Sequence, residues 1–260
     1  MQADAISSAT PQLQSLVCAG AMVMLRISSL FVFAPVFNSP GIPMRIKAGF
    51  VFAITLLMTP VIYRANGAIT EITVGGVMSE LAVGMVLGLS LMMLSEAIEF
   101  ASTLLGMQFS FSLVNLIDPM SKIETPVLGQ LFSWVSVLVL LSAGLHRTLL
   151  AALLKTFAVI PVGTYVLNPR TAAALAQMAG GIFLAGVQLA SPVIAAALTV
   201  EITIGLVARL SPQLPAMIMS VPIKTMVSYV VLIGSLAVWP WFIERHFDAL
   251  LTQAGRLLVR

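Results

Sequence analysis

The sequence predicts an all-α membrane protein built from helical hairpins. Hydrophobic residues make up 59% of its 260 residues and charged residues 9%, whereas an ordinary soluble domain has about 25% charged residues. Two long tracts, residues 125–145 and 171–200, contain no charged side chain. Because a helix of about twenty apolar residues crosses a hydrocarbon layer roughly 30 Å thick, each tract is long enough to span a membrane.

Seven apolar segments follow one another along the chain and predict six or seven helices of spanning length. The segments are residues 16–37, 48–63, 72–94, 127–145, 148–167, 175–200 and 226–243. The first is expected to be an uncleaved helix, because no Lys or Arg precedes it as in a signal peptide.

Proline pairs punctuate these segments, and each restricts the backbone of the residue before it. They are Thr59-Pro60, Asp118-Pro119, Asn168-Pro169, Ser211-Pro212 and Trp239-Pro240. We therefore expect helix boundaries at these positions and short turns between antiparallel helices. Within the helices, Gly84 and Gly88 predict a close approach of two backbones, and Gly181 with Ala185 repeats the spacing.

Several charged residues lie inside or beside the apolar segments. Arg26 is near the middle of the first segment, Glu80 is in the third, Glu96 and Glu99 share a helix face at its end, and Glu201 follows the longest neutral tract. A charge at the centre of a span costs about 2.5–3.5 kcal/mol on insertion scales. Two interpretations stay open, namely an ion or proton path and a hydrogen-bonded contact with a packed helix or a partner subunit.

Residues 106–125 have a different pattern from their surroundings. Apolar and small polar side chains alternate with a period of two, and the segment contains Asp118-Pro119. Irregular backbone at membrane depth is tolerated only inside protein or along a cavity, so the segment is either a buried loop or a constriction facing a pore. Met217 and Met219 form a second apolar cluster that either contributes to such a seal or fills the core.

Catalytic and metal-binding patterns are absent from the sequence. Cys18 is the single cysteine, and His146 and His246 lie a hundred positions apart, so neither a disulfide nor a metal site is expected. No phosphate-binding, nucleophile-elbow or zinc-protease motif occurs. The basic residues are scattered singly, which argues against nucleic acid as a partner. We expect no enzyme activity and no cofactor.

The order and spacing of several short motifs carry a resemblance over nearly the whole chain. These motifs are Ala34-Pro35, the turn with Pro43, Arg45 and Lys47, Gly106 and Gln108, Asp118-Pro119, Pro126-Val127-Leu128, His146, Ile160-Pro161-Val162-Gly163 and Leu210-Ser211-Pro212-Gln213. Together they resemble the FliR family of flagellar export-gate proteins, called SctT in injectisomes. Gly144-Leu145-His146 departs from the Asn-Gly-His expected there, so no role is transferred to that turn.

The resemblance implies an architecture and a set of partners. One copy of such a protein winds with several copies each of FliP and FliQ into a helical cone in the bacterial inner membrane, within the flagellar basal body. FlhB wraps the closed mouth, and FlhA is a further partner. Residues 1–105 correspond to a FliQ-like half, residues 106–125 to a pore-facing plug loop, and residues 126–260 to a FliP-like half.

The function that follows from the resemblance is a structural and gating subunit that passes unfolded flagellar proteins across the membrane. The expected plug residues are Gly106, Met107, Phe109, Phe111, Leu113, Asp118 and Pro119, with Met217 and Met219 as a further seal. The expected inter-subunit polar contacts are Arg26, Glu80, Glu96, Glu99, Glu201 and Lys224. Three alternatives stay open: an injectisome export-gate homologue, an assembly chaperone or scaffold without contact with the pore, and a stand-alone secondary transporter. The coupling site of such a transporter would consist of Arg26, Glu80, Glu96 and Glu99.

Overall fold

The computed structural model describes residues 2–34, 37, 42–67, 71–109, 127–211 and 216–259, and all regular elements in these residues are α-helices. They are α1 (Gln2–Phe33), α2 (Met44–Asn66), α3 (Val74–Gln108), α4 (Val127–Ser142), α5 (Leu145–Val159), α6 (Pro169–Leu210), α7 (Ala216–Ser235) and α8 (Trp239–Val259). The all-α prediction is confirmed for this part of the chain.

Four helices are long and apolar enough to cross a membrane, namely α1, α2, α3 and α6. The pairs α4 with α5 and α7 with α8 pass the same test only together, across a short break, so the described residues contain four to six candidate spans. The described residues thus account for at most six of the six or seven predicted spans. One reason is that the apolar segment 226–243 is interrupted by a turn at residues 236–238.

The contacts divide the chain into two compact units. The first unit consists of Met1–Met93, Gly144–Ala179 and Phe247–Arg260, and the second of Leu94–Ala143 and Gly180–His246. Each has its own buried apolar core. Examples are Val23, Ile27, Leu30, Leu87 and Leu149 in the first unit and Leu105, Phe132, Ala190, Val193 and Trp239 in the second.

Helices α1 and α2 form an antiparallel hairpin, as the sequence predicts. The hydroxyl oxygens of Ser15, early in α1, and Tyr63, late in α2, lie 3.0 Å apart. At the other end the ring centroids of Phe31 and Phe50 are 5.7 Å apart. The start of one helix thus meets the end of the other.

Proline pairs predict three helix boundaries among the described residues and misplace one. Helix α6 begins at Pro169 and ends just before Ser211-Pro212, and α8 begins at Trp239-Pro240. At Asn168-Pro169 the proline is the first residue of α6, and the Asn168 side-chain oxygen accepts a hydrogen bond of 3.1 Å from the Arg170 amide. In contrast, Pro60 lies inside α2, where a boundary was expected. Apolar helices tolerate internal proline because neighbouring groups and small backbone adjustments satisfy the freed carbonyl.

Helices α3 and α6 are longer than the hydropathy pattern predicts. Helix α3 continues to Gln108 instead of ending at residue 94, and α6 extends from Pro169 to Leu210 instead of residues 175–200. The charged residues at these ends, including Glu96 and Glu99, are compatible with helix even though they end the apolar pattern. The predicted boundaries are wrong because hydropathy detects apolar surface and not backbone hydrogen bonding.

The glycine pair on α3 marks the closest packing in the first unit. A Cβ atom at Gly84 would lie 3.0 Å from the Leu30 amide nitrogen and would overlap the Arg26 carbonyl oxygen, and one at Gly88 would lie 2.8 Å from Phe33 Cβ. Real Cβ atoms do not approach so closely, so only glycine fits here. The predicted close approach at Gly84 and Gly88 is confirmed.

The second predicted small-residue contact, at Gly181, is misplaced. A Cβ atom at Gly181 would meet nothing within 4 Å, whereas one at Gly186 would lie 2.8 Å from the Ala97 carbonyl oxygen and 2.6 Å from Phe100 Cδ1. The close contact between α6 and α3 in the second unit is therefore at Gly186. The spacing of small residues alone does not tell which face of α6 meets a neighbour.

Candidate functional site

A fully buried ion pair joins α1 to α3 at the centre of the first unit. Arg26 Nε donates to Glu80 Oε2 at 2.7 Å, and Arg26 Nη2 donates to Glu80 Oε1 at 2.9 Å. Both side chains have 0% exposed surface. Two parallel hydrogen bonds between a guanidinium and a carboxylate form the strongest common side-chain contact, so the pair fixes the rotation of the two helices about their axes.

The remaining guanidinium donors of Arg26 are directed at the end of α5. Nη1 lies 3.2 Å from Thr156 Oγ1 and 3.5 Å from the Ile160 carbonyl oxygen, and Nη2 lies 3.4 Å from the same oxygen. The guanidinium carbon is also 4.1 Å from the centroid of the Phe157 ring, at cation–π distance. Each guanidinium nitrogen thus has at least one acceptor inside the protein.

The turn after α5 supplies the third hydrogen bond that Glu80 accepts. The Gly163 amide donates to Glu80 Oε1 at 2.7 Å, and two residues on, the Tyr165 amide donates to Ser79 Oγ at 2.7 Å. Gly163 has a φ of +78°, a conformation that residues with a Cβ rarely adopt. The Ile160-Pro161-Val162-Gly163 motif therefore presents a carbonyl to the cation and an amide to the anion.

We define Arg26, Glu80, Thr156, Ile160 and Gly163 as the polar cluster. It joins three segments that are far apart in the sequence, and its two formal charges cancel. An isolated charge at this depth costs several kcal/mol, whereas a paired and hydrogen-bonded one is tolerated. The cluster matches the hydrogen-bonded pair between packed helices, which is one of the two interpretations left open by the sequence.

The other charged residues of the prediction lie elsewhere. Glu96 is exposed and Glu99 is half-buried on α3, more than four turns beyond Glu80. Glu201 on α6 and Lys224 on α7 form a partly exposed ion pair within the second unit. Arg26 pairs with Glu80, and Glu201 with Lys224, within the chain; an inter-subunit contact stays a prediction for these four residues and for Glu96 and Glu99.

The expected plug segment begins with described residues. Gly106 is buried in the last turn of α3, Met107 is 59% exposed, and Phe109 is 5% exposed. The ring of Phe109 stacks on Tyr229 of α7 at a centroid distance of 4.3 Å. Residues 106–108 are thus helical and not part of a loop with a period of two, because α3 continues its hydrogen bonding through them.

The rest of the predicted plug and seal lies outside the described residues. Phe111, Leu113, Asp118 and Pro119 fall in the range 110–126, and the side chains of Met217 and Met219 are likewise not described, although both residues belong to α7. Their roles stay predictions.

The two histidines have separate surroundings. His246 Nδ1 lies 2.9 Å from the Phe242 carbonyl oxygen, and its ring stacks on the Phe242 ring. His146 Nδ1 is buried without a hydrogen-bond partner. No group of three metal-binding side chains occurs among the residues that the structure describes.

The sequence analysis identified both ions of the polar cluster but missed the residues that complete it. The Thr156 hydroxyl is one turn from the end of an apolar helix, and Ile160 and Gly163 contribute backbone atoms. Every residue has a backbone carbonyl and nearly every residue an amide, so a sequence does not show which of them bind a side chain. The only indication of these contacts was the glycine in the Ile160-Pro161-Val162-Gly163 turn.

Comparison with known proteins agrees with this architecture. A family model described as bacterial export proteins, family 1, matches residues 17–250. The flagellar biosynthetic protein FliR of Bacillus subtilis (strain 168) is 30% identical over 84% of this chain and 85% of its own length. The proteins of that name from Pectobacterium carotovorum subsp. carotovorum and Escherichia coli (strain K12) are 29% and 26% identical, over 91% and 86% of this chain and 91% and 87% of their own lengths. With its membrane-type helices, the chain belongs to the FliR family of bacterial export proteins.

Proposed function

We propose that the protein is a structural and gating subunit of the flagellar type III secretion export gate, in the bacterial inner membrane within the flagellar basal body. Unfolded flagellar proteins pass through the gate, and this chain forms part of its wall and its closure. Family membership supports a role in transport or structure rather than in catalysis. The observation that carries the proposal is the geometry of α6.

Helix α6 is too long for lipid alone to cover all of it. Its charge-free stretch, residues 171–200, is about 45 Å long at about 1.5 Å per residue. To fit a hydrocarbon layer of about 30 Å it must tilt by about 48°, beyond the usual range of about 0–40°. Only 11% of its most apolar window is buried within the chain, so the part that a bilayer does not cover is available to neighbouring protein.

Other helices expose apolar faces of the same kind. Leu131, Trp134 and Leu138 of α4 are each at least 49% exposed. These faces support assembly with several copies of FliP and FliQ into a helical cone, with residues 1–105 similar to FliQ and residues 126–260 similar to FliP. FlhB and FlhA complete the proposed set of partners.

The gating role is proposed for residues 106–119 with Met217 and Met219. Met107 is exposed where α3 ends, and Phe109 packs on Tyr229. The start of the proposed plug segment is therefore held in place by α3 and α7. In this mechanism Phe111 and Leu113 obstruct a narrow aqueous path, and an arriving polypeptide displaces them. The closure is steric and needs no cofactor.

The gating test is the small-solute permeability of cells or vesicles that contain the assembled gate. Shortening residues 106–118, or trimming Phe111 and Leu113 to alanine, should raise permeability. Trimming Val166 and Leu167 to alanine is the matched control, because these two apolar residues are exposed in the turn between α5 and α6. Unchanged permeability in an assembled gate with the shortened segment would contradict the plug.

Two alternatives make different predictions. A secondary transporter needs a free coupling group, but Glu80 accepts hydrogen bonds from Arg26 and Gly163, which argues against it. Such a transporter should be fully stable and bind a small ligand when purified alone, whereas a gate subunit should gain stability from co-expressed FliP and FliQ. An injectisome homologue should restore effector secretion and not motility; the flagellar names of the relatives favour motility.

A further inference from the structure

A cavity of about 450 Å³ lies in the first unit, against the outer side of the polar cluster. Its wall is formed by α3, α5 with the residue after it, and α8, and it includes Thr156 and Ile160, which also contact Arg26. The volume is within the range of about 300–1,000 Å³ that is typical of small-molecule sites. Nothing in the proposed gating role uses this cavity.

The lining divides into an apolar interior and a cationic mouth. Leu87, Ile160 and Leu258 are buried, while Lys155 and Arg256 are exposed. Among the described residues, neither cation has a carboxylate within ion-pair distance. The site therefore offers an uncompensated charge of about +2 beside an apolar chamber.

This combination fits an anionic amphiphile. Thr252, an exposed lining residue one helical turn before Arg256, adds a hydrogen-bond donor for a phosphate oxygen. Basic pockets between membrane helices bind anionic phospholipid head groups through such contacts. The apolar chamber then accommodates an acyl chain.

An acyl chain suits this space because it is thin and bends to follow an irregular wall. A protein helix with its side chains is a stiff cylinder about 10–12 Å wide.

We propose that this cavity is a binding site for an anionic phospholipid, with Lys155 and Arg256 on the phosphate and an acyl chain along Leu87 and Leu258. The inference is independent of the gating role. It assigns a ligand to residues of the first unit that are not part of the predicted plug segment.

The first experiment titrates the purified full-length chain with phosphatidylglycerol and with phosphatidylcholine of the same acyl chains, read out by native mass spectrometry. Each cation is expected to contribute about fivefold in affinity, so Lys155→Gln with Arg256→Gln should weaken phosphatidylglycerol binding by about 25-fold. Arg170→Gln with Arg209→Gln is the matched control. It removes the same charge from exposed positions on α6 that do not line the cavity.

The second experiment fills the chamber and leaves the cations in place. A Cβ atom at Gly255, which lines the cavity, would meet nothing within 4 Å, so Gly255→Leu should place a side chain in the space and lower binding at least tenfold. Gly205→Leu is the control, since Gly205 is also unobstructed but lies on α6. Unchanged helicity by circular dichroism verifies that each variant is folded.

Five results would overturn the proposal. Equal affinity for the two lipids, or equal losses in the two charge-pair variants, would show that Lys155 and Arg256 do not bind the head group. Unchanged binding to Gly255→Leu would show that the acyl chain does not occupy the cavity. Complete displacement by soluble glycerol phosphate would assign the site to a free phosphate. Lipid release on assembly, with a carboxylate cross-link from Lys155 to a partner chain, would assign it to a protein.

Discussion

The polar cluster gives the sharpest test of how this chain is held together. The perturbation is a double-mutant cycle in which Arg26→Met and Glu80→Met are made singly and together. Each single change leaves one buried charge without its partner, and the double change removes both charges. The two side chains are fully buried and joined by two hydrogen bonds, so the single variants have no access to water that would compensate.

The expected magnitudes follow from these contacts. Removing one member of a buried ion pair costs about 3–5 kcal/mol, so the two single variants together should lose about 6–10 kcal/mol. The double variant leaves the Ile160 carbonyl and the Gly163 amide without partners, at about 1–3 kcal/mol each. Its loss should therefore be about 2–6 kcal/mol, which is about 4 kcal/mol smaller than the sum.

The measurement is the free energy of unfolding by denaturant in mixed micelles, followed by circular dichroism. The matched control is the same cycle on Glu201 and Lys224, the partly exposed pair on α6 and α7, where the coupling should be about 0–1 kcal/mol. A coupling at Arg26 and Glu80 as small as in the control pair would refute the reasoning, because it would mean that the buried pair is not a unit.

Three other expectations use the same unfolding measurement. Gly84→Ala should cost about 1–3 kcal/mol by overpacking, while Gly180→Ala, whose added Cβ would meet nothing within 4 Å, should not destabilise; equal effects would contradict the close approach. Gly163→Ala should cost about 1–2 kcal/mol, because its φ is +78°, and a neutral result would show that the turn relaxes. The destabilising effects of Phe109→Ala and Tyr229→Ala should couple by about 0.5–1.5 kcal/mol, because the two rings stack. Purely additive losses would show that the two rings do not interact.

Much of the secondary structure is readable from local sequence. The start of α6 follows from Asn168-Pro169, because an N-cap side chain and a proline in the first turn act within a few residues. The ends of α3 do not follow from hydropathy, since a helix continues through Glu96 and Glu99 as long as its backbone hydrogen bonds are satisfied. Local patterns therefore locate a helix better than they locate its end.

The sequence alone identifies only part of the candidate site. Arg26 and Glu80 stand out because each is a charge in an apolar tract, but 54 residues separate them, and nothing in either tract says that they face each other. Thr156 and Gly163 contribute a hydroxyl and an amide from a third segment. A hydroxyl in a helix and a glycine in a turn are too common for the sequence alone to assign these partners.

The sequence by itself determines that the chain is helical and belongs in a membrane, because apolar tracts of this length must satisfy their backbone hydrogen bonds internally. It also determines that Gly84 and Gly88 lie on one helix face. Only the tertiary structure decides that Gly186 and not Gly181 meets a neighbouring helix, and that Arg26 is neutralised by Glu80. The reason is physical: helix formation depends on residues within a turn or two, whereas pairing depends on the rotation of each helix about its axis, which is fixed by packing.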